Sequence, residues 1–299
     1  MAVSVAALSP ARVWWSAVRP ATLAASVAPV LAGTAIAVYE GGPRVGAGVL
    51  ALVAGVAMQV GVNFANDYSD FVRGADTPRR IGPVRAASSG VVNPTHVRSA
   101  AIASFGVAAV AGLVLSLTTD WRLLIVGAAS LLAAWLYTGG PRPYGYLGLG
   151  EVFVFVFFGL VATLGTVYVE TLHVTALGVL IACSMGCLAT AILVLNNLRD
   201  ITTDAAADKR TLATRIGRDR TLVLLALLVC VAFAIPIATF VFKLAPVSVM
   251  LVHFAIPIAA LPVRTAFATA SGPALVGGLK RMAIAQLAFA LLFSLGLLL

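Results

Sequence analysis

VTALGVLIACSMGCLATAILVLNN, residues 174–197, decides the fold. These 24 residues contain no Asp, Glu, Lys or Arg. As a helix the run is about 36 Å long and crosses the roughly 30 Å hydrocarbon core of a bilayer. It then turns abruptly polar, as Leu198-Arg199-Asp200-Ile201-Thr202-Thr203-Asp204 and then Asp208-Lys209-Arg210. Working outward, apolar windows of spanning length recur near 22–39, 46–66, 97–117, 121–138, 151–170, 221–242, 246–263 and 280–298. The run at 22–39 lies behind a 20-residue lead without a convincing cleavage site, and so reads as a retained helix.

Composition agrees. Of 299 residues 61% are apolar and 10% charged, against about a quarter charged in soluble domains, and the mean hydropathy is +1.04. A soluble enzyme, a disordered chain and a disulfide scaffold are excluded together. The expected fold is an all-α polytopic bundle of nine transmembrane helices, with residues 1–19 as a cytoplasmic lead and 20–299 as one transmembrane domain. The formal charge of +9 would suggest nucleic acid in a soluble chain. Here the bases sit between apolar runs, where topology accounts for them, and no nucleic-acid partner is expected. Of the 20 Lys and Arg, 17 fall on the side of the N-terminus and the two long loops, and 3 (Arg44, Arg122, Lys243) on the other. The positive-inside rule then assigns the N-terminus and both loops to the cytoplasm.

The scarce acids are concentrated. Six of 11 lie where the two long loops begin: Asp67, Asp70, Asp76, Asp200, Asp204 and Asp208. If the helix before the first loop extends past the bilayer, Asn63, Asp67 and Asp70 share one face, with Asn66 flanking them. In the second tract Asn196, Asp200, Asp204 and Asp208 follow at four-residue steps, each drifting by about 40°, so the first three converge best. Carboxylates packed in this way repel unless a cation joins them. Carboxylate and amide oxygens suit Mg²⁺, which bridges to phosphates. Arg73, Arg199, Lys209 and Arg210 are candidate phosphate partners. Two readings compete with a metal–diphosphate site. One is solvated loops with capping Asn and Asp; the other is a proton-coupled transporter, although its acids usually sit mid-helix.

Asn66-Asp-Tyr-Ser-Asp-Phe-Val-Arg-Gly-Ala-Asp76 with Gly82-Pro83-Val84-Arg85, and Asn196-Asn-Leu-Arg-Asp-Ile-Thr-Thr-Asp204 with Asp208-Lys-Arg-Thr-Leu-Ala-Thr-Arg-Ile-Gly217, resemble the two aspartate-rich motifs of UbiA-type intramembrane prenyltransferases. Val18-Arg19-Pro20-Ala21-Thr22-Leu23 and the stretch from Trp135 through Tyr137 and Arg142 to Tyr146 are similar to further landmarks of that family. Within it, the wording most resembles the branch acting on 1,4-dihydroxy-2-naphthoate. The first motif departs from the family's shorter spacing, because Gly74 stands where a third Asp would fall and Asp76 comes two residues later.

The resemblance implies transfer of a polyprenyl group from polyprenyl diphosphate to 1,4-dihydroxy-2-naphthoate with decarboxylation, giving demethylmenaquinol in menaquinone synthesis. Another aromatic acceptor is the alternative within the family. It implies Mg²⁺ as cofactor, membrane lipid as surroundings, and a bacterial plasma-membrane location with the site facing the cytoplasm. Asn66, Asp67, Asp70, Asp200 and Asp204 are the implied metal and diphosphate residues, with Asp76, Asp208, Asn63 and Asn196 as further candidates. Arg73, Arg142, Arg199, Lys209 and Arg19 are the implied diphosphate partners. Arg142 and Arg19 read equally well as topogenic charges. Tyr137 either steadies the allylic cation or belongs to the interfacial aromatic belt. Glu151 is a candidate for the acceptor end, or simply an acid at a helix N-terminus. The Phe run at 153–158 reads as lipid-facing or chamber wall. Gly139-Gly140 and 145–150 lack the spacing of a nucleotide loop, so no nucleotide is expected. Cys183, Cys187 and Cys230 read as small hydrophobes, and the three histidines as structural.

Overall fold

A computed structural model of the chain describes residues 9–74, 84–269 and 272–299. Among these residues all regular structure is helical. Pro10–Val18 (α1) leads into Pro20–Tyr39 (α2), Val45–Val72 (α3), Pro94–Thr118 (α4) and Leu123–Leu136 (α5). A 3₁₀ turn, Tyr144–Leu147, precedes one continuous rod made of Gly150–Val154 (α6), a π-helical segment Phe155–Val161 and Ala162–Thr171 (α7). Ala176–Ala206 (α8), Leu212–Val241 (α9), a 3₁₀ stretch Val247–Ala255, Ile256–Ala268 (α10) and Gly272–Leu298 (α11) complete the bundle.

Local chemistry sets these boundaries. Pro10, Pro20 and Pro94 occupy first turns, where a missing N–H leaves nothing unsatisfied. Asn93 accepts from the Thr95 N–H at 2.9 Å, and Thr175 accepts from the Gly178 N–H at 3.1 Å, as N-caps. All nine predicted windows are helical, and among the described residues eight helices are long and apolar enough to cross a membrane. The window at 121–138 is the difference. Its helix has 14 residues, about 21 Å, because Thr119–Arg122 forms a turn before it and Gly139-Gly140-Pro141 follows it. α9 begins nine residues ahead of the predicted 221, since Gly217 at φ +79° joins a short polar helix to the apolar one. That left-handed backbone is open to glycine at little strain.

α8 is the axis of the bundle. Its apolar window is 78% buried, more than that of any other described span. Ile181, Met185, Leu188 and Leu195 pack with Phe289 and Phe293 of α11 in the principal core. Polar ties lock the neighbours, with Ser184 Oγ donating to the Ala232 carbonyl at 3.0 Å and Gln286 Nε2 to the Met185 carbonyl at 3.3 Å. Small residues set a close crossing here, as is usual where lipid gives helices no hydrophobic reason to associate. A β-carbon on Gly159 of the π-helical segment would stand 2.4 Å from the Gly186 Cα on α8.

The lead segment carries α1. Val13 and Ala17 of α1 are buried against Phe64, Ala65, Ala86 and Ala87, and Trp14 meets Phe64 edge to face at 5.5 Å. α1 thereby braces the end of α3 where the first acidic tract begins.

Because backbone, not a flexible side chain, opposes Gly159, Gly159→Ala is expected to destabilise the bundle by about 1–3 kcal/mol, the usual effect of overpacking. Thermal unfolding of the purified protein in detergent measures this, with Gly165→Ala as a control, since open space surrounds Gly165.

Candidate active site

The last three turns of α3 carry Asn63, Asn66, Asp67 and Asp70, and those of α8 carry Asn196, Arg199, Asp200 and Asp204. The two helix ends meet at one chamber of about 1330 Å³. Asn66, Asp70, Asn196, Asp200, Asp204 and Lys209 line its polar end. The wall continues along α3 as far as Ala51, nineteen residues or about 28 Å from Asp70. Alanine, glycine, valine and leucine dominate that depth.

Each carboxylate at the polar end has a base against it. Arg85 Nη2 lies 2.7 Å from Asp70 Oδ2, and both side chains are buried. Arg199 donates from Nε to Asp200 Oδ1 at 2.7 Å, makes a second contact to the same carboxylate through Nη2, and reaches Asn196 Oδ1 at 2.9 Å. Lys209 Nζ is 3.9 Å from Asp204 Oδ1. Tyr146, on the 3₁₀ turn, connects the two tracts. Its hydroxyl donates to Asp70 Oδ1 at 2.9 Å, and Lys209 Nζ sits 4.6 Å from its ring centroid. The Arg73 guanidinium approaches the same ring at 5.8 Å while donating to the Gly140 carbonyl. Burial, and then the neighbouring Asp70 charge, push the Tyr146 phenol well above its ordinary range, so it remains a donor.

The chamber also takes in Tyr137, Arg19 and Asn63. Asn66 Oδ1 accepts from Thr138 Oγ1 at 2.7 Å, which fixes Tyr137 next to it in the chain. Arg19 stands at the left-handed junction of α1 and α2, at φ 54°. The Asn63 amide is occupied structurally, donating to the Val18 carbonyl at 2.8 Å and to Thr22 Oγ1 at 3.2 Å, and accepting from Gln59 at 3.2 Å.

Other sequence candidates lie off the chamber wall. Asp67 is 1% exposed, and its oxygens accept the Ala86 and Ala87 N–H groups at 2.8 and 3.1 Å. It sits about 100° around the helix from Asn66, whereas Asp70 is only about 40° from Asn66, so the chamber-facing edge is that of Asn66 and Asp70. Asp208 falls beyond the end of α8 at φ 49°, its side chain 85% exposed and 3.3 Å from Arg210. Arg142 is exposed between two prolines. Glu151 is 5% exposed behind the wall, accepting from Asn197 Nδ2 at 2.8 Å. Asp76 lies outside the described residues.

Arg85 and Tyr146 are the site residues that the sequence did not single out. Both stand inside quoted motif stretches, but Arg85 looks like one more loop charge and Tyr146 like the end of a Gly/Pro-rich connection. Only folding brings them to Asp70. Among the described residues, no group of three or more His, Cys, Asp or Glu side chains is drawn together around a single point.

A model of the UbiA prenyltransferase family matches residues 26–275. The chain is 46% identical over 281 residues to the 1,4-dihydroxy-2-naphthoate octaprenyltransferase of Mycobacterium tuberculosis, covering 93% of this chain and 94% of that one. It is 38% identical over 236 residues to the protein of the same name from Escherichia coli, covering 75% and 77%. Among solved structures, a UbiA homologue from Aeropyrum pernix superposes with a TM-score of 0.68 at 15% identity, covering 92% of this chain and 96% of that one. A UbiA homologue from Archaeoglobus fulgidus bound to DMAPP and Mg²⁺ gives 0.62 at 13% identity, covering 94% and 99%.

Since the Asp67 oxygens satisfy two backbone donors in the segment that carries Arg85, Asp67→Ala is expected to lower stability by about 2–4 kcal/mol. Asp204→Ala removes a repelling charge from a chamber wall and is expected to leave the thermal midpoint near or above that of the parent. Thermal unfolding of both variants in detergent checks the contrast.

Proposed function

The chain belongs to the UbiA prenyltransferase family, and on that premise we propose that it transfers a polyprenyl group from its diphosphate to 1,4-dihydroxy-2-naphthoate, with loss of the carboxyl group, giving demethylmenaquinol for menaquinone synthesis. The shared name of its bacterial relatives supports the acceptor. The observation that carries the reading is the single chamber, where carboxylates from both tracts and their paired bases stand at the mouth of a long apolar trough.

The donor set suits Mg²⁺. Asp70, Asp200 and Asp204 supply hard carboxylate oxygens, with the Asn66 and Asn196 amide oxygens beside them, and these residues would hold the ion against a diphosphate. When bound, Mg²⁺ supplies Lewis-acid stabilisation of the charge that develops on the diphosphate. The paired bases make an exchange of partners feasible. Arg85, Arg199 and Lys209 stand against the carboxylates that would hold the ion, and with it bound they would be available to phosphate oxygens. This reading assigns the diphosphate to Arg199 on α8 and Lys209 just beyond it, with Arg73 against the Tyr146 ring and Arg19 at the α1–α2 junction.

Chemistry at the carbon follows from the walls. The allylic C1–O bond breaks with its electron pair going to the diphosphate oxygen, where fixed positive groups stabilise it. The allylic cation survives only if water is kept out, and the apolar trough does this. The electron-rich ring of the acceptor forms the new C–C bond to C1. Its carboxylate departs as CO₂, the bonding pair returns to the ring, and aromaticity is restored. Products are the prenylated quinol, CO₂ and pyrophosphate. The positive-inside count supports a polar end facing the cytoplasm, where a soluble acid and a diphosphate headgroup would both be accessible.

Chelation by EDTA is expected to abolish turnover and added Mg²⁺ to restore it. Asp70→Ala, Asp200→Ala and Asp204→Ala should each lower kcat at least about 100-fold, the scale of losing one stabiliser of developing charge. A radiolabelled prenyl-transfer assay with a panel of acceptors measures both. Prenylation of 4-hydroxybenzoate but not of dihydroxynaphthoate would overturn the acceptor assignment.

A further inference from the structure

Tyr146 lies off the chamber wall, yet it touches both carboxylate tracts. Its phenol donates to Asp70 Oδ1 at 2.9 Å. Lys209 Nζ sits 4.6 Å from its ring centroid and 3.9 Å from Asp204 Oδ1, and the Arg73 guanidinium takes the same ring at 5.8 Å. One side chain thus links the end of α3 to the end of α8.

The 3₁₀ turn that carries Tyr146 is placed by contacts outside both tracts. The Gly145 N–H donates to the Tyr137 carbonyl at 3.0 Å, and a β-carbon on Gly145 would stand 2.7 Å from that oxygen. A β-carbon on Gly148 would stand 3.0 Å from the Arg215 side chain of α9 and 3.3 Å from the Arg210 carbonyl. Tyr144, on the same turn, stacks on Phe153 of α6 at 3.9 Å. The turn is therefore seated on the end of α5, on α9 and on α6 at once. Tyr146 is held out from this base and is carried by neither tract.

What the base holds matters to a cation. An ionised carboxylate offers about four lone-pair sites on its two oxygens. At Asp70 the Tyr146 hydroxyl takes one on Oδ1 and Arg85 takes one on Oδ2, which leaves each oxygen a second site, and Asp70 lines the chamber. Donors that fix a ligating carboxylate in this way strengthen its hold on a metal. The ring face meanwhile gives the Lys209 ammonium an attraction besides Asp204. We infer that Tyr146 is a positioning residue: its hydroxyl orients Asp70 for a divalent cation, and its ring stations Lys209 and Arg73 for the diphosphate. That these are the ligands rests on the prenyl-transfer reading above.

Two substitutions separate hydroxyl from ring, and binding is read without turnover on the full chain in detergent. The probes are Mn²⁺ alone, counted as bound and free by electron paramagnetic resonance, and farnesyl diphosphate at saturating Mg²⁺ with no acceptor. Tyr146→Phe keeps the ring. It is expected to weaken Mn²⁺ binding about tenfold or more and to leave farnesyl diphosphate affinity within about twofold. Tyr146→Leu removes both features and should also weaken farnesyl diphosphate binding, by about three- to tenfold. A residue that merely braces the fold would lower the thermal midpoint and leave both affinities alone. Unchanged Mn²⁺ affinity in the phenylalanine variant, or equal farnesyl diphosphate affinity in the two variants, would overturn the assignment. If the leucine variant does not fold, the Mn²⁺ affinity of the phenylalanine variant decides. A parent protein that binds both probes but never prenylates dihydroxynaphthoate would sink the transfer reading and leave this role standing.

Discussion

Three carboxylates gathered at the mouth of an apolar chamber repel one another, and the site is organised around the neutralisation of that repulsion. Arg85, Arg199 and Lys209 each stand against one acid, and Tyr146 joins the Asp70 pair to the Asp204 pair across the gap between α3 and α8. Arg85 and Asp70 are both buried, and removing either would leave an uncompensated charge, so these two are stable only together. The rest of the bundle serves the whole cluster. α8 is buried along its length to hold the second tract, and α1 packs beneath the first. The Asp67 carboxylate ties down the chain that delivers Arg85.

Under the proposed function, the same pairing is what would let one site serve both a metal and a diphosphate. The apolar depth does a separate job. It offers little hydration, and its walls are of two kinds, aromatic and aliphatic.

How far the sequence reaches depends on how local the determining physics is. The apolar runs set the helices because each needs only its own residues to satisfy its backbone in lipid. They misjudge α5, whose short length is set by the turn residues around it. The two acidic tracts are readable as helical faces, and Asn66, Asp70, Asn196, Asp200 and Asp204 do face one chamber. Asp67 has the same spacing argument behind it, yet it points to backbone N–H groups some twenty residues on, a partner that no helical wheel contains. Arg85 and Tyr146 were hidden for the same reason. Each acts across a fold-level contact, and in one dimension a loop arginine next to a proline has nothing to distinguish it from a topogenic charge.

The wide turn at Phe155–Val161 gives the seventh helix an adjustable phase. Loss of a single residue there would let the turn relax to ordinary α geometry, and everything after it would rotate by about 100°. Glu170, which accepts from Thr34 at 2.5 Å near the far end of the same rod, would swing away from α2, while Phe153, ahead of the turn, kept its bearing. One half of the rod is thus indexed to the chamber and the other to the scaffold, and the π-helical segment is the vernier that lets both settings hold at once.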